Sequence, residues 1–192
     1  MKNQLKLNEP EKARIHSIVD VGLDFSAMIR LFEKGSKRIL HREMLNRIEE
    51  MFDAKSEGEF KRSHSKFCEW GEKEISLARK TKPPSYGQIA KTLDVVLKVA
   101  IYYCHLPDCV KYQQISKWLN AAVDTKMMNF LREHYPEHIK PWPKTIAQVY
   151  NSDYMKIQEI VRKFINTEHN GRITPVQFDD MYWEALNRQR LP

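Results

Sequence analysis

Three ionisable residues interrupt the most apolar stretch of the chain. Lys91, Asp94 and Lys98 stand at i, i+3 and i+7 and therefore share one face of a helix. An amine buried without compensation is costly, so the stripe either faces solvent as a Lys–Asp–Lys ladder or lines a cleft. The ladder is the expected arrangement. A cleft is the chemically productive one, because a partly desolvated lysine gives up its proton more readily and becomes a nucleophile.

Other clusters have simpler readings. His134-Tyr-Pro-Glu137-His138 has the spacing of an inverted zincin motif, but Pro136 disfavours a helical residue before it. The two imidazoles are then not expected on one helix face, and a solvated loop is. Asn166 to Gln177 has the oxygen spacing of a calcium loop, with Gly171 at its sixth place. Its anchors are Asn and Gln in place of Asp and the bidentate Glu, which removes two charges. A turn at Asn170-Gly171, an N-cap at Thr174, Pro175 as first helical residue and Gln177 closing a capping box account for the same letters. Cys104-His105 and Cys109 lack a further Cys/His pair to complete a zinc site. No metal or cofactor is expected.

The elements that must hold these residues are helices. Only six glycines occur, no Asn-Gly hairpin lies between alternating apolar residues, and apolar clusters recur every three or four positions. The fold class expected is all-α, with about seven or eight helices. They are read over about Glu9–Phe32, Arg38–Phe52, Glu59–Arg79, Tyr86–His105, Val110–Asn120, Thr125–Glu133, Thr145–Asn166 and Pro175–Arg190. The helix from Tyr86 is apolar over most of its circumference and so is central. Asp124 is the expected N-cap of the helix that follows it. Lys80-Thr81-Lys82-Pro83-Pro84 cannot be helical. It divides the chain into an N-terminal helical lobe, 1–82, and a C-terminal lobe, 83–192, within what is expected to be one compact unit.

The 192-residue chain is long enough to bury a sizeable core without metal or disulfides. Met1 to Glu11 has no apolar core of a signal peptide, and Val95 to Cys104 is far shorter than the roughly 20 residues a bilayer requires. A cytoplasmic protein without membrane partners is expected. Three irregularly spaced cysteines fit a reducing compartment and are expected as free, mostly buried thiols. The net charge of +7 permits a nucleic-acid partner. Its excess is shared, +4 up to Lys82 and +3 beyond, so neither half is a basic tail.

Tyr86-Gly-Gln-Ile-Ala-Lys91-Thr92-Leu-Asp-Val-Val-Leu-Lys98 resembles the lysine-bearing helix of helix-hairpin-helix DNA glycosylases, in particular the archaeal 8-oxoguanine branch. In that family a Lys-Thr pair opens a long apolar helix, and an aspartate follows at the start of another. Ala122-Val123-Asp124-Thr125 supplies such an aspartate, and Thr174-Pro-Val-Gln-Phe-Asp-Asp-Met-Tyr-Trp183 is similar to the family's closing Pro, Asp and Trp pattern.

The resemblance covers roughly the C-terminal half of the chain. It implies that Lys91 attacks the sugar C1′ of a flipped-out nucleotide, and that Asp124 orients the amine and offsets positive charge at the sugar. It further implies double-stranded DNA as partner. Ser85, Tyr86, Gly87, Gln88 and Lys98 would contact it, and Tyr102, Tyr103, Trp142 or Trp183 could offer a stacking surface. The family's hairpin is glycine-rich, whereas Pro84-Ser85-Tyr86-Gly87 keeps one glycine. A base-excision glycosylase/lyase is the function so implied. The alternative is a non-catalytic helical protein binding a protein partner or nucleic acid, with Lys91 paired to Asp94 at the surface and Asp124 serving only as a cap.

Overall fold

The computed structural model describes residues 9–79 and 82–188. Eight α-helices occur among them: α1 Glu9–Phe25, α2 Ser36–Phe52, α3 Glu57–Glu74, α4 Tyr86–Leu97, α5 Lys111–Ile115, α6 Thr125–His134, α7 Asn151–His169 and α8 Pro175–Arg188. The all-α class is as the apolar spacing requires. Arg190, read as the end of the last helix, lies outside the described residues, as does part of the Lys80–Pro84 boundary.

The helix α4 is the hub. Between Tyr86 and Leu97 every residue except Val95 is buried. It packs against α1 and α3 from the first half of the chain and against α7 from the second. One hydrophobic cluster runs without interruption from Ile15 to Phe178. The crossing of α3 over α4 is close enough to need Gly71. A Cβ there would stand 2.5 Å from Ile89 Cγ2, well inside van der Waals contact.

Four helix boundaries differ by five to seven residues from those read off the sequence, each because a tertiary bond takes the backbone. The first helix stops at Phe25 rather than Phe32, and the third at Glu74 rather than Arg79. Residues on either side of Phe32 and Leu77 are drawn into a short antiparallel bridge, with Glu33 N–H donating to Ser76 O and Ala78 N–H to Leu31 O. The 3-10 turn Ala27–Leu31 leads the chain into that bridge. The fifth helix spans only Lys111–Ile115, not Val110–Asn120. Gln158 of α7 brackets Ala121, accepting from its N–H at 3.1 Å and donating to its carbonyl at 2.9 Å, which fixes that segment outside a helix. Finally, α7 begins at Asn151 rather than Thr145. Residues 146–149 lie against the start of α4 instead.

The helix α4 does not end at Leu97 but widens into a π-helical turn, Lys98–Tyr103. Such turns displace side chains relative to the preceding α-helical register and recur at functional sites. All three cysteines are free. Only Cys68 is buried, Cys104 is half-buried and Cys109 exposed, so the expectation of mostly buried thiols holds for one of the three.

Candidate functional site

The Lys91, Asp94, Lys98 stripe faces the interior. It is not the solvent ladder expected from its spacing, and its members do not pair with one another. Each finds a partner on a different helix, because α4 is surrounded and has no side to give to water.

Lys91 meets Asp124. The amine Nζ lies 3.4 Å from Asp124 Oδ2, and the two side chains are 9% and 17% exposed. Asp124 also caps α6 as the sequence predicts, its Oδ1 accepting from the Met127 N–H at 2.9 Å. One oxygen of the carboxylate therefore fixes the helix and the other faces the amine. The N-terminal end of α6 adds a favourable field for the negative charge.

Lys98, at the start of the π-helical turn, meets two consecutive aspartates of α8. Its Nζ is 2.6 Å from Asp179 Oδ2 and 2.5 Å from Asp180 Oδ1. Asp179 is 2% exposed at its side chain, and burial lifts its carboxyl above the usual range even with the ammonium beside it. Lys91 also acts on Asp179 electrostatically, which sets the two lysine sites side by side. Asp179 Oδ1 is buried and has no hydrogen-bond partner, an acceptor left over beside the amines. Lys98 was expected at a nucleic-acid surface. Burial opposes its charge, but the two carboxylates outweigh that and raise its pKa.

Asp94 belongs to a third, fully buried group. His64 Nε2–H donates to Asp94 Oδ1 at 2.9 Å, and the Tyr154 hydroxyl donates to Oδ2 at 2.7 Å. Cys68 Sγ lies 3.7 Å from the other imidazole nitrogen. Burial alone would strip the proton from His64, yet its pKa is pushed up to about 10. Burial also keeps the Cys68 thiol protonated. The Cys68 sulfur and the Asp94 carboxylate, on either side of the ring, both favour the proton on His64. This group ties α3, α4 and α7 together.

The residues expected to grip nucleic acid at the start of α4 are otherwise engaged. Ser85 Oγ donates to Ile146 O at 2.9 Å and accepts from the Gln88 N–H, while Gln88 Oε1 accepts from the Ser85 N–H, completing a capping box. Gly87 N–H donates to Val149 O at 3.0 Å. Tyr86 is fully buried, with its hydroxyl 3.2 Å from Ser65 Oγ. Ser85 and Gly87 seat the start of α4 on the 146–149 segment. Gln88 alone also borders a cavity, one of about 360 Å3 flanked by Arg30 and Arg79.

Of the aromatic residues named as stacking candidates, Tyr103 and Trp183 are exposed, and Tyr103 sits beside Lys98. The Tyr103 hydroxyl donates to Asp180 at 2.7 Å. Tyr102 packs edge-on against Tyr103, and Trp142 Nε1–H donates to Pro136 O. In the zincin-like segment, His134 bonds the Phe130 carbonyl and His138 faces Lys163 at 2.9 Å, so the two imidazoles point to different partners. Thr174 and Gln177 form the capping box read from the calcium-like letters. No helix among the described residues is long and apolar enough to cross a membrane.

Sequence reasoning missed His64 and Tyr154. A signal existed for His64, which falls at i+4 from Phe60 and i−4 from Cys68 on the apolar face of α3 and so had to be buried with a partner. Tyr154 offers none, since a buried tyrosine is ordinary. Asp179 and Asp180 were on the page only as letters of a closing pattern. No family model, curated protein or solved structure matches this chain.

Proposed function

We propose that the protein acts on DNA as a glycosylase/lyase, with Lys91 as nucleophile and Asp124 as its orienting carboxylate. The observation that carries this reading is the 3.4 Å approach of the Lys91 amine to Asp124 Oδ2 at a site that is largely but not wholly desolvated. A nucleophilic amine needs a fixed direction and a neighbouring negative charge, and the cap bond to Met127 supplies the rigidity.

In the reaction, the Lys91 ammonium gives up a proton, through water, to the departing base, and the freed lone pair forms a bond to C1′ of an extruded nucleotide. The C1′–N bond to the base breaks, and the base leaves with the electron pair and takes up that proton. Ring opening then gives an imine between Lys91 and the sugar. Asp124 stays ionised and offsets the positive charge that develops at C1′. Extrusion is required because C1′ of a stacked nucleotide is beyond the reach of a side chain recessed in this way. Asp179, which feels the charge of Lys91, and its partner Lys98 would stand beside a flipped nucleotide.

The test is reduction of the imine. Borohydride added to the protein with a duplex bearing an abasic site or 8-oxoguanine should give a covalent protein–DNA adduct on a denaturing gel. Lys91→Ala should abolish it. Absence of any adduct, or an adduct indifferent to Lys91→Ala, sinks the reading and leaves Lys91–Asp124 as a structural ion pair.

A further inference from the structure

The loop between α7 and α8 has the letters of a cation site, yet three cations line the concavity beside it. That concavity, of about 480 Å3, is bordered by Lys117, Arg162 and Arg172 together with Asn166 and Thr174. Arg162 is half-buried and held in place. Its guanidinium reaches the carbonyls of Trp118 and Leu119 at 3.4 Å and Glu57 at 3.7 Å. Lys117 and Arg172 are exposed, and neither has a carboxylate partner among the described residues. The concavity thus presents two free positive charges and a third that is partly neutralised. A calcium ion would be repelled here, and an anion with several oxygens would be drawn in. The start of α8 is already capped by Thr174 and Gln177, so the cations and not the helix end supply the attraction.

The position links this site to Lys91. Pro175 borders the concavity, and Asp179, four residues along α8, borders the lysine site. Four residues of helix span about 6 Å. Each DNA strand carries one phosphate per roughly 3.4 Å of axis, so that rise along α8 corresponds to about two phosphates.

We infer that the Lys117–Arg162–Arg172 concavity binds a backbone phosphate of DNA and anchors the strand next to the Lys91 site. It takes the role that the start of α4 cannot perform, since the Gly87 and Gln88 N–H groups are bonded within the protein. This inference rests on the DNA reading of the Lys91 site but is separable from it by experiment.

The probe is a fluorescein-labelled duplex titrated by anisotropy over a range of salt, with Lys117→Ala/Arg172→Ala against wild type. Both residues are exposed, so the melting temperature should not move. The expected result is roughly tenfold weaker binding at 0.1 M salt and a log K against log salt slope shallower by about 2, one released counterion for each lost cation. The charge-matched variant Lys34→Ala/Arg38→Ala, at the start of α2, should bind as wild type. The inference is overturned if the first variant binds like wild type, if the control weakens equally, or if wild type binds no duplex. It is also overturned if Lys117→Ala/Arg172→Ala abolishes a thermal shift by inorganic phosphate while duplex binding is unchanged, which would mark a site for free phosphate. Wild type that fails to trap while the salt slopes still differ removes the lyase chemistry and keeps the anchor.

Discussion

Asp124 divides its two oxygens between a helix cap and an amine, and substitutions can separate the two. Asp124→Asn keeps an oxygen that can accept from the Met127 N–H, since asparagine caps helices as well as aspartate does, but removes the charge facing Lys91. Asp124→Ala removes both. Adduct formation should slow at least tenfold in each variant, measured as a borohydride time course. Thermal melts should find the alanine variant less stable than the asparagine variant by about 1 kcal/mol, the usual worth of a lost cap. Equal stability would mean that the cap contributes nothing. Trapping as fast in Asp124→Asn as in wild type would remove the carboxylate from the chemistry.

At the scale of elements, the lysine site depends on how α4 is seated. Gly87 N–H bonds Val149 O, and a Cβ at position 87 would stand 2.6 Å from Val149 Cβ and 2.9 Å from Ile146 O. Neither neighbour is the free end of a flexible side chain, so relief requires the backbone to move. Gly87→Ala should therefore cost about 1–3 kcal/mol, the range for overpacking, although alanine is the better helix former. A chemical denaturation midpoint equal to that of wild type would show that the 146–149 segment yields easily. The caps at Asp124 and Thr174 were legible in the sequence, because capping is a matter of residues three apart. The ends of α1 and α3 were not. They are fixed by hydrogen bonds between residues 31–33 and 76–78, which no local pattern announces.

For the molecule as a whole, the His64–Asp94–Tyr154 group makes stability depend on pH. The folded pKa of His64, about 10, lies above its ordinary value of 6.5. A raised value means that the folded state holds the proton more tightly. The stabilisation is then full below pH 6.5 and is lost progressively as pH rises from there through about 10. Lys98, Tyr154 and the Cys68 thiol, whose values are raised too, start at 9 or above and leave the window below pH 9 to His64. Melting temperature should fall between pH 7 and pH 9. In His64→Gln it should be lower at neutral pH and nearly level across the same range. A wild-type profile that is flat there would mean His64 is neutral in the folded protein.

The sequence by itself determined that this chain is helical, that its central helix begins at Tyr86, and that Lys91, Asp94 and Lys98 share a face. Each of these follows from neighbours within a turn or two, where the backbone's 3.6-residue period sets the geometry. Only the tertiary structure decided which carboxylate each amine meets. The spacing of the stripe pointed to Lys91 with Asp94, whereas packing gave Lys91 to Asp124, Lys98 to Asp179 and Asp180, and Asp94 to His64 and Tyr154. The reason is the burial of α4. A helix enclosed by its neighbours must find every counter-charge on another helix, and that choice depends on how helices far apart in sequence come to lie together.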